Sequence, residues 1–123
     1  MKIAWLGKKT PFCGNVSYGN LTTKYLNLRG HQVSFIHFDN QTKHKNAKSL
    51  FKANKSEIKL PYLIKSQVYT IPSPSAEKKL RTYLKKFKPE IVHASLTLSP
   101  LDFKLPKICQ EMNIPLVATY HPA

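Results

Sequence analysis

A chain of 123 residues with 41% apolar content has room for one packed domain and its core, but not for two. No apolar run nears the roughly 20 residues that a membrane-spanning helix needs, and Met1 to Gly7 lack the pattern of a signal peptide. The net charge of +14 is uneven: between Lys43 and Lys88 thirteen Lys/Arg stand against only Glu57 and Glu77, +11 of the total.

Strand and helix patterns alternate along the chain. Lys2–Gly7 reads as a buried strand, and Lys8–Val16 as a loop holding Pro11 and Gly14. A helix is predicted from Ser17 to Leu28, with Leu21, Tyr25 and Leu28 at i, i+4 and i+7 turned towards the sheet. Gly30 closes it by accepting the left-handed cap conformation. Gln32–Phe38, rich in β-branched and aromatic residues, is the second strand. Asp39–Glu57 reads as a long lysine-rich loop with one helical turn near Leu50 and Phe51, and Ile58–Tyr62 and Gln67–Ile71 as short strands around a turn. Ser75 is placed to cap a helix over Ala76–Phe87, with Leu80, Leu84 and Phe87 on one stripe and lysines on the other. Pro89 ends that helix and Glu90–Ala94 is the next strand. Ser99-Pro100-Leu101-Asp102 has the form of a helix start, with Pro at the first position and an acid in the first turn. Pro106 is expected to kink or restart this helix, and Leu116–Tyr120 is the last strand. Strands separated by helices of this length imply βαβ crossovers, and so an α/β fold: a Rossmann-like, doubly wound parallel sheet.

In such sheets the ligand crevice lies at the carboxyl ends of the strands. His93 and His121 reach or follow the ends of two adjacent predicted strands, which marks them as candidates for an active site. Set against this, a histidine on a buried strand is commonly a hydrogen-bonded core residue. They form no metal set, since no third ligand sits at a recognisable spacing and Cys109 falls on a predicted helix. Cys13 and Cys109 read as free thiols of a non-secreted protein. The loop from Thr10 to Gly19 is not a dinucleotide fingerprint, because G-x-G-x-x-G is absent. Gly14 and Gly19 have the glycine spacing of a P-loop, but Asn20-Leu21 stands where Lys-Ser/Thr is required. What remains is a glycine loop opening a helix, whose N–H groups can approach an anion or a sugar hydroxyl, or a turn shaped only for packing.

The ordered runs Lys2-Ile3-Ala4-Trp5-Leu6-Gly7, Pro11-Phe12-Cys13-Gly14-Asn15, Leu28-Arg29-Gly30-His31, Lys88-Pro89-Glu90-Ile91-Val92-His93-Ala94 and Ile114-Pro115-Leu116-Val117-Ala118-Thr119-Tyr120-His121 carry a resemblance. Together they resemble the N-terminal domain of GT-B retaining glycosyltransferases of family-4 type, from Met1 to His121. Within that family, Gly7 to Asn15, Ser66 to Pro72 and His93 to Phe103 are similar to a cyanobacterial, digalactosyldiacylglycerol synthase-like branch. The resemblance implies one half of a GT-B fold, in which this domain holds the acceptor and a second domain binds a nucleotide sugar. It implies His121 as the catalytic residue, Gly14 and Asn15 as the loop near donor phosphates and acceptor, and His93 on the acceptor side. It implies no cofactor, the nucleotide sugar being a substrate whose leaving diphosphate is stabilised by cations and a helix dipole of the second domain. Two positions depart from the family pattern: Asn15 follows Gly14 where a second glycine is common, and Pro122 follows His121 where Thr or Ser is common. The donor-binding Glu-x7-Glu motif is absent from these 123 residues, so residues 1–123 are expected to form only the acceptor-binding domain and to be inactive alone.

The basic stretch then has a candidate role. Lys48, Lys52, Lys55 and Lys59 form an expected patch against an anionic membrane, with the protein cytoplasmic and peripheral at a membrane that holds a glycolipid acceptor. A C-terminal donor-binding domain or chain is the other expected partner. The alternative is a non-enzymatic basic module that binds nucleic acid or membrane, or a lysine-rich surface with no partner. Nucleic acid is disfavoured, because Tyr62, Tyr69 and Tyr83 fall at core-like positions and provide no stacking platform.

Overall fold

The computed structural model describes residues 1–7, 14–39, 57–65, 70–95 and 99–119. Five strands form a parallel sheet: β1 (Lys2–Leu6), β2 (Gln32–Phe38), β3 (Glu57–Leu60), β6 (Ile91–Ser95) and β7 (Leu116–Thr119). Their spatial order is β3-β2-β1-β6-β7. The chain winds outward from β1 in one direction, then returns to β6 on the other side of β1. This reversal is the doubly wound α/β arrangement, and its switch point lies between β1 and β6. Two further strands, β4 (Tyr62–Lys65) and β5 (Thr70–Pro72), pair antiparallel as a separate ribbon. Pro61 separates β3 from β4, so the strand expected over Ile58–Tyr62 is divided between two sheets.

Both faces of the large sheet are covered. On one face α2 (Ala76–Phe87) and α3 (Pro100–Glu111) bury Leu80, Leu84, Leu101, Leu105, Ile108 and Cys109 against Ala4, Leu6, Ile36, Phe38, Val92 and Ala94. On the other, α1 (Gly14–Leu28) covers Ile3, Trp5, Val33 and Phe35. Successive strand residues alternate between these two cores, as a pleated strand requires. Ser34 is fully buried, and its hydroxyl is hydrogen-bonded to that of Tyr83 on α2.

The α1 helix differs from expectation twice. It starts at Gly14 rather than Ser17, and Leu21, Tyr25 and Leu28 point away from the sheet, at 56, 58 and 70% exposure. The covered stripe instead runs through Val16, Gly19, Thr23 and Leu26. The sheet presents Trp5 and Phe35, and the helix rests directly on them at Gly19, where an added Cβ would sit in ordinary contact, 3.5 Å from each ring. Thr23 satisfies its half-buried hydroxyl by donating to the Gly19 carbonyl at 2.7 Å.

Helix ends follow local chemistry. At the end of α1, His31 N–H bonds to Leu26 O at 3.1 Å and Gly30 N–H to Asn27 O at 3.1 Å, with Gly30 at φ 92°. α3 begins with a capping box: Ser99 Oγ accepts from Leu101 N–H at 3.1 Å, and Asp102 Oδ2 accepts from Ser99 N–H at 3.1 Å. The helix runs unbroken through Pro106, which is exposed, while Leu105, Ile108 and Cys109 anchor the turns around it. Ser75 precedes α2 without capping it; its hydroxyl is 2.9 Å from that of Ser73.

Candidate active site at the sheet switch point

Three rings gather on the α1 face of β1 and β6, around Trp5 near the end of β1 and His93, the middle residue of β6 rather than one at its end. Trp5 and His93 are lateral partners in adjacent parallel strands, so their side chains leave the sheet on the same side. The indole and imidazole stack with centroids 3.9 Å apart and planes at 19°. Tyr18, one turn into α1, lies 5.7 Å from Trp5 and 6.4 Å from His93. The third strand completes the setting. Val117 of β7 is the register partner of His93, and Thr119, the next residue on that face, places its hydroxyl 2.7 Å from His93 Nε2. Indole stacking fixes the plane of the imidazole, and Thr119 fixes its rotation within that plane. The ring is half-buried and held in one orientation.

Gly7 follows β1 directly, with its N–H on Ile36 O at 2.9 Å. A Cβ there would lie 2.8 Å from Trp5 Nε1 and 2.9 Å from Phe35 Cζ, distances that real side chains do not tolerate. Trp5 Nε1 is buried with no acceptor among the described residues.

Gly14 and Asn15 are the first two residues of α1, not part of a preceding loop. The first turn of a helix carries N–H groups with no acceptor inside the helix, and the positive end of its dipole. Of α1 it is Tyr18, four residues after Gly14, that lies near His93, with ring centroids 6.4 Å apart. Lys59 is elsewhere, on β3, with its ammonium 3.7 Å from Asp39 and little more than a quarter exposed. Its charge is thereby partly neutralised. His121, Cys13, Lys48, Lys52 and Lys55 lie outside the described residues.

His37 and Glu57 form a second polar pair. His37 is buried, and its Nε2 is 2.5 Å from Glu57 Oε1. Sequence alone gives His37 no partner, because Glu57 is twenty residues away on a strand brought alongside only by folding. Trp5, Gly7 and Thr119 escape sequence reasoning in the same way. The usable signal is parity: Trp5 falls two residues before Gly7, just past its strand, and His93 two before Ser95. On the opposite face, a groove of about 420 Å³ opens between the β4–β5 ribbon and the starts of α2 and α3, with Leu63, Pro72, Arg81, Leu101 and Lys104 among its walls. Lys104 and then Arg81 hold the Glu77 carboxyl below the usual range, and Arg81 does the same for Glu111. Burial pushes the Cys109 thiol up, making it a core side chain rather than a nucleophile. No group of three metal-ligating side chains occurs among the described residues.

A parallel sheet wound outward in both directions from β1, with helices on both faces, defines an α/β domain of the Rossmann-like class. Its family is specific: the model for Glycosyltransferase Family 4 matches residues 20–122, and the chain belongs to that family. A search of curated proteins finds no match.

Proposed function

We propose that this chain is the acceptor-side domain of a retaining glycosyltransferase that moves a hexosyl group from a nucleotide sugar to a membrane glycolipid. The observation that carries the reading is the family match; the stacking of His93 on Trp5 and its hydrogen bond to Thr119 support it. In this reading His93, held by Trp5 and Thr119, orients an acceptor hydroxyl. The Gly14–Asn15 turn offers N–H groups to the donor phosphates. His121, two residues beyond Thr119 in sequence, contacts the reacting sugar. A donor-binding domain or partner chain supplies the cations that stabilise the departing diphosphate. The net charge of +14 suits an acceptor that stays in an anionic bilayer, with Lys48, Lys52 and Lys55 reaching lipid phosphates. Membership of the digalactosyldiacylglycerol synthase-like branch would make that acceptor a galactolipid. No helix among the described residues is long and apolar enough to cross a membrane, so attachment in this reading is peripheral.

The test is transfer from labelled nucleotide sugars to extracted membrane lipids by the domain joined to a donor-binding half. It is accompanied by titration of the chain against anionic vesicles, duplex DNA and single-stranded RNA. Lipid-dependent incorporation supports the proposal. Tight, structure-selective nucleic-acid binding without transfer overturns it in favour of a non-enzymatic basic module.

A further inference from the structure

A three-residue apolar ridge on α1 is turned to solvent. Leu21, Tyr25 and Leu28 are each more than half exposed and recur at i, i+4 and i+7, opposite the stripe that packs on Trp5 and Phe35. Lys24 lies between them and Arg29 follows them, both exposed. The helix holds no acidic residue, and Asp39 is the first acid in the chain, after five Lys/Arg. Single exposed leucines need no explanation, but a helical row of three with cationic flanks is a feature to account for.

We propose that the outer face of α1 is the surface by which this domain rests on an anionic bilayer, the helix axis lying in the plane of the headgroups. Charge and shape select this occupant. A second copy meeting the first through this ridge would set Lys24 and Arg29 beside their equivalents, within a pair of +14 domains. A folded protein partner needs about 800 Å² of shape-matched surface on each side, and α1 offers a single helical ridge of three apolar side chains. A bilayer needs neither groove nor fixed geometry. Apolar side chains enter the boundary between headgroups and acyl chains, while Lys24 and Arg29 reach phosphates. The ridge and the His93 site share one helix: Tyr18, three residues before Leu21, lies 6.4 Å from the His93 ring. The inference rests on the membrane-acceptor part of the proposed function and supplies the contact surface, independently of the lysine-rich stretch.

The experiment uses the 123-residue chain with vesicles of phosphatidylcholine alone or with about 30% phosphatidylglycerol, at low and raised salt. A Tyr25→Trp variant reports depth: brominated acyl chains should quench the new indole, while Trp5, which is 2% exposed, acts as a shielded internal control. The triple variant Leu21→Ser, Tyr25→Ser, Leu28→Ser changes only exposed positions and should keep its melting temperature. Its binding to anionic vesicles should weaken at least about tenfold, and Lys24→Glu with Arg29→Glu should weaken it too. If the parent binds these vesicles but the triple variant binds equally well and the introduced indole is not quenched, α1 is not the surface and the membrane-acceptor reading survives. If the parent ignores anionic vesicles at low salt, both fail. A concentration-dependent dimer abolished by the triple variant would overturn the lipid assignment in favour of a second copy.

Discussion

His93 and Thr119 lie on adjacent strands one same-face position out of register, and that offset brings Nε2 to 2.7 Å from the Thr119 hydroxyl while the ring stays stacked on Trp5. A partner directly opposite, as Val117 is, would have faced the ring with methyl groups. Three neighbouring strands therefore define the position of one imidazole: β1 by stacking, β6 by attachment and β7 by hydrogen bonding.

Thr119→Val keeps the shape and removes the hydroxyl. Urea unfolding should show a loss of about 1 kcal/mol, the net worth of a typical hydrogen bond. Nitrogen chemical shifts of the His93 ring should move at the same time, and Thr119→Ser should restore both. A purely volumetric role for Thr119 would leave the ring shifts of the valine variant unchanged.

Two glycines should respond to alanine for different reasons. At Gly7 the new Cβ meets Trp5 Nε1 and Phe35 Cζ, so Gly7→Ala should cost about 1–3 kcal/mol as overpacking. At Gly30 nothing lies within 4 Å, but φ is 92°, so Gly30→Ala should cost about 1 kcal/mol through backbone strain alone. Trimming Phe35 to Leu should relieve part of the first cost and none of the second, as paired denaturation curves would reveal.

Local chemistry makes much of this fold legible. β2 falls on its expected residues because Val33, Phe35, Ile36 and Phe38 announce a buried strand, and α2 does so because its apolar stripe and lysine face are cleanly divided. Gly30 and the Ser99–Asp102 box mark helix ends through hydrogen bonds within a few residues. The covered face of α1 is not legible. Spacing assigns its large side chains inward, yet the helix rests on Trp5 and Phe35 at Gly19. Lys88 and Asn113 take left-handed backbone angles, φ 52° and 56°, that sequence assigns more readily to glycine. Of the site, His93 and its strand can be read from sequence, whereas Trp5, Thr119 and the His37–Glu57 pair depend on strand order and register, which only the folded sheet supplies.

The reversed face of α1 can be measured directly. Leu80 is fully buried on α2, and Leu80→Ala should destabilise by about 2–5 kcal/mol. Leu21→Ala should stay within about 0.5 kcal/mol of the parent. A large loss at Leu21 would place that stripe against the sheet after all.

Acid should loosen the contact between α2 and α3. Arg81 bonds to Glu77 at 3.1 Å and to Glu111 at 2.7 Å, and Lys104 reaches Glu77 at 3.0 Å. Both carboxyls are held below the ordinary value of 4.5, so their contribution is complete above that pH and disappears as pH falls through their lowered folded values. The groups are accessible to solvent in part, and the effect should be small and salt-sensitive. Comparing Arg81→Gln with the parent from about pH 6 downward, the stability gap should narrow below 4.5. A gap independent of pH would mean that Arg81 acts through packing of its stem alone.

Catalysis gives the last prediction, which rests on the proposed function. In the complete enzyme His121→Ala should lower kcat by roughly 10²-fold, the typical loss for a positioned polar group acting on the reacting atoms. His93→Ala should instead raise KM for the acceptor more than it lowers kcat, because the braced imidazole orients a hydroxyl. Gly14→Val adds a β-branched side chain in the first turn of α1, next to N–H groups assigned to the donor phosphates. It should raise KM for the nucleotide sugar and leave acceptor binding unaltered. The three variants thus divide between chemistry, acceptor and donor, and steady-state kinetics with each substrate varied in turn separates them. Unchanged turnover in His121→Ala would remove that residue from the site, and an acceptor effect of Gly14→Val would move the phosphates away from α1.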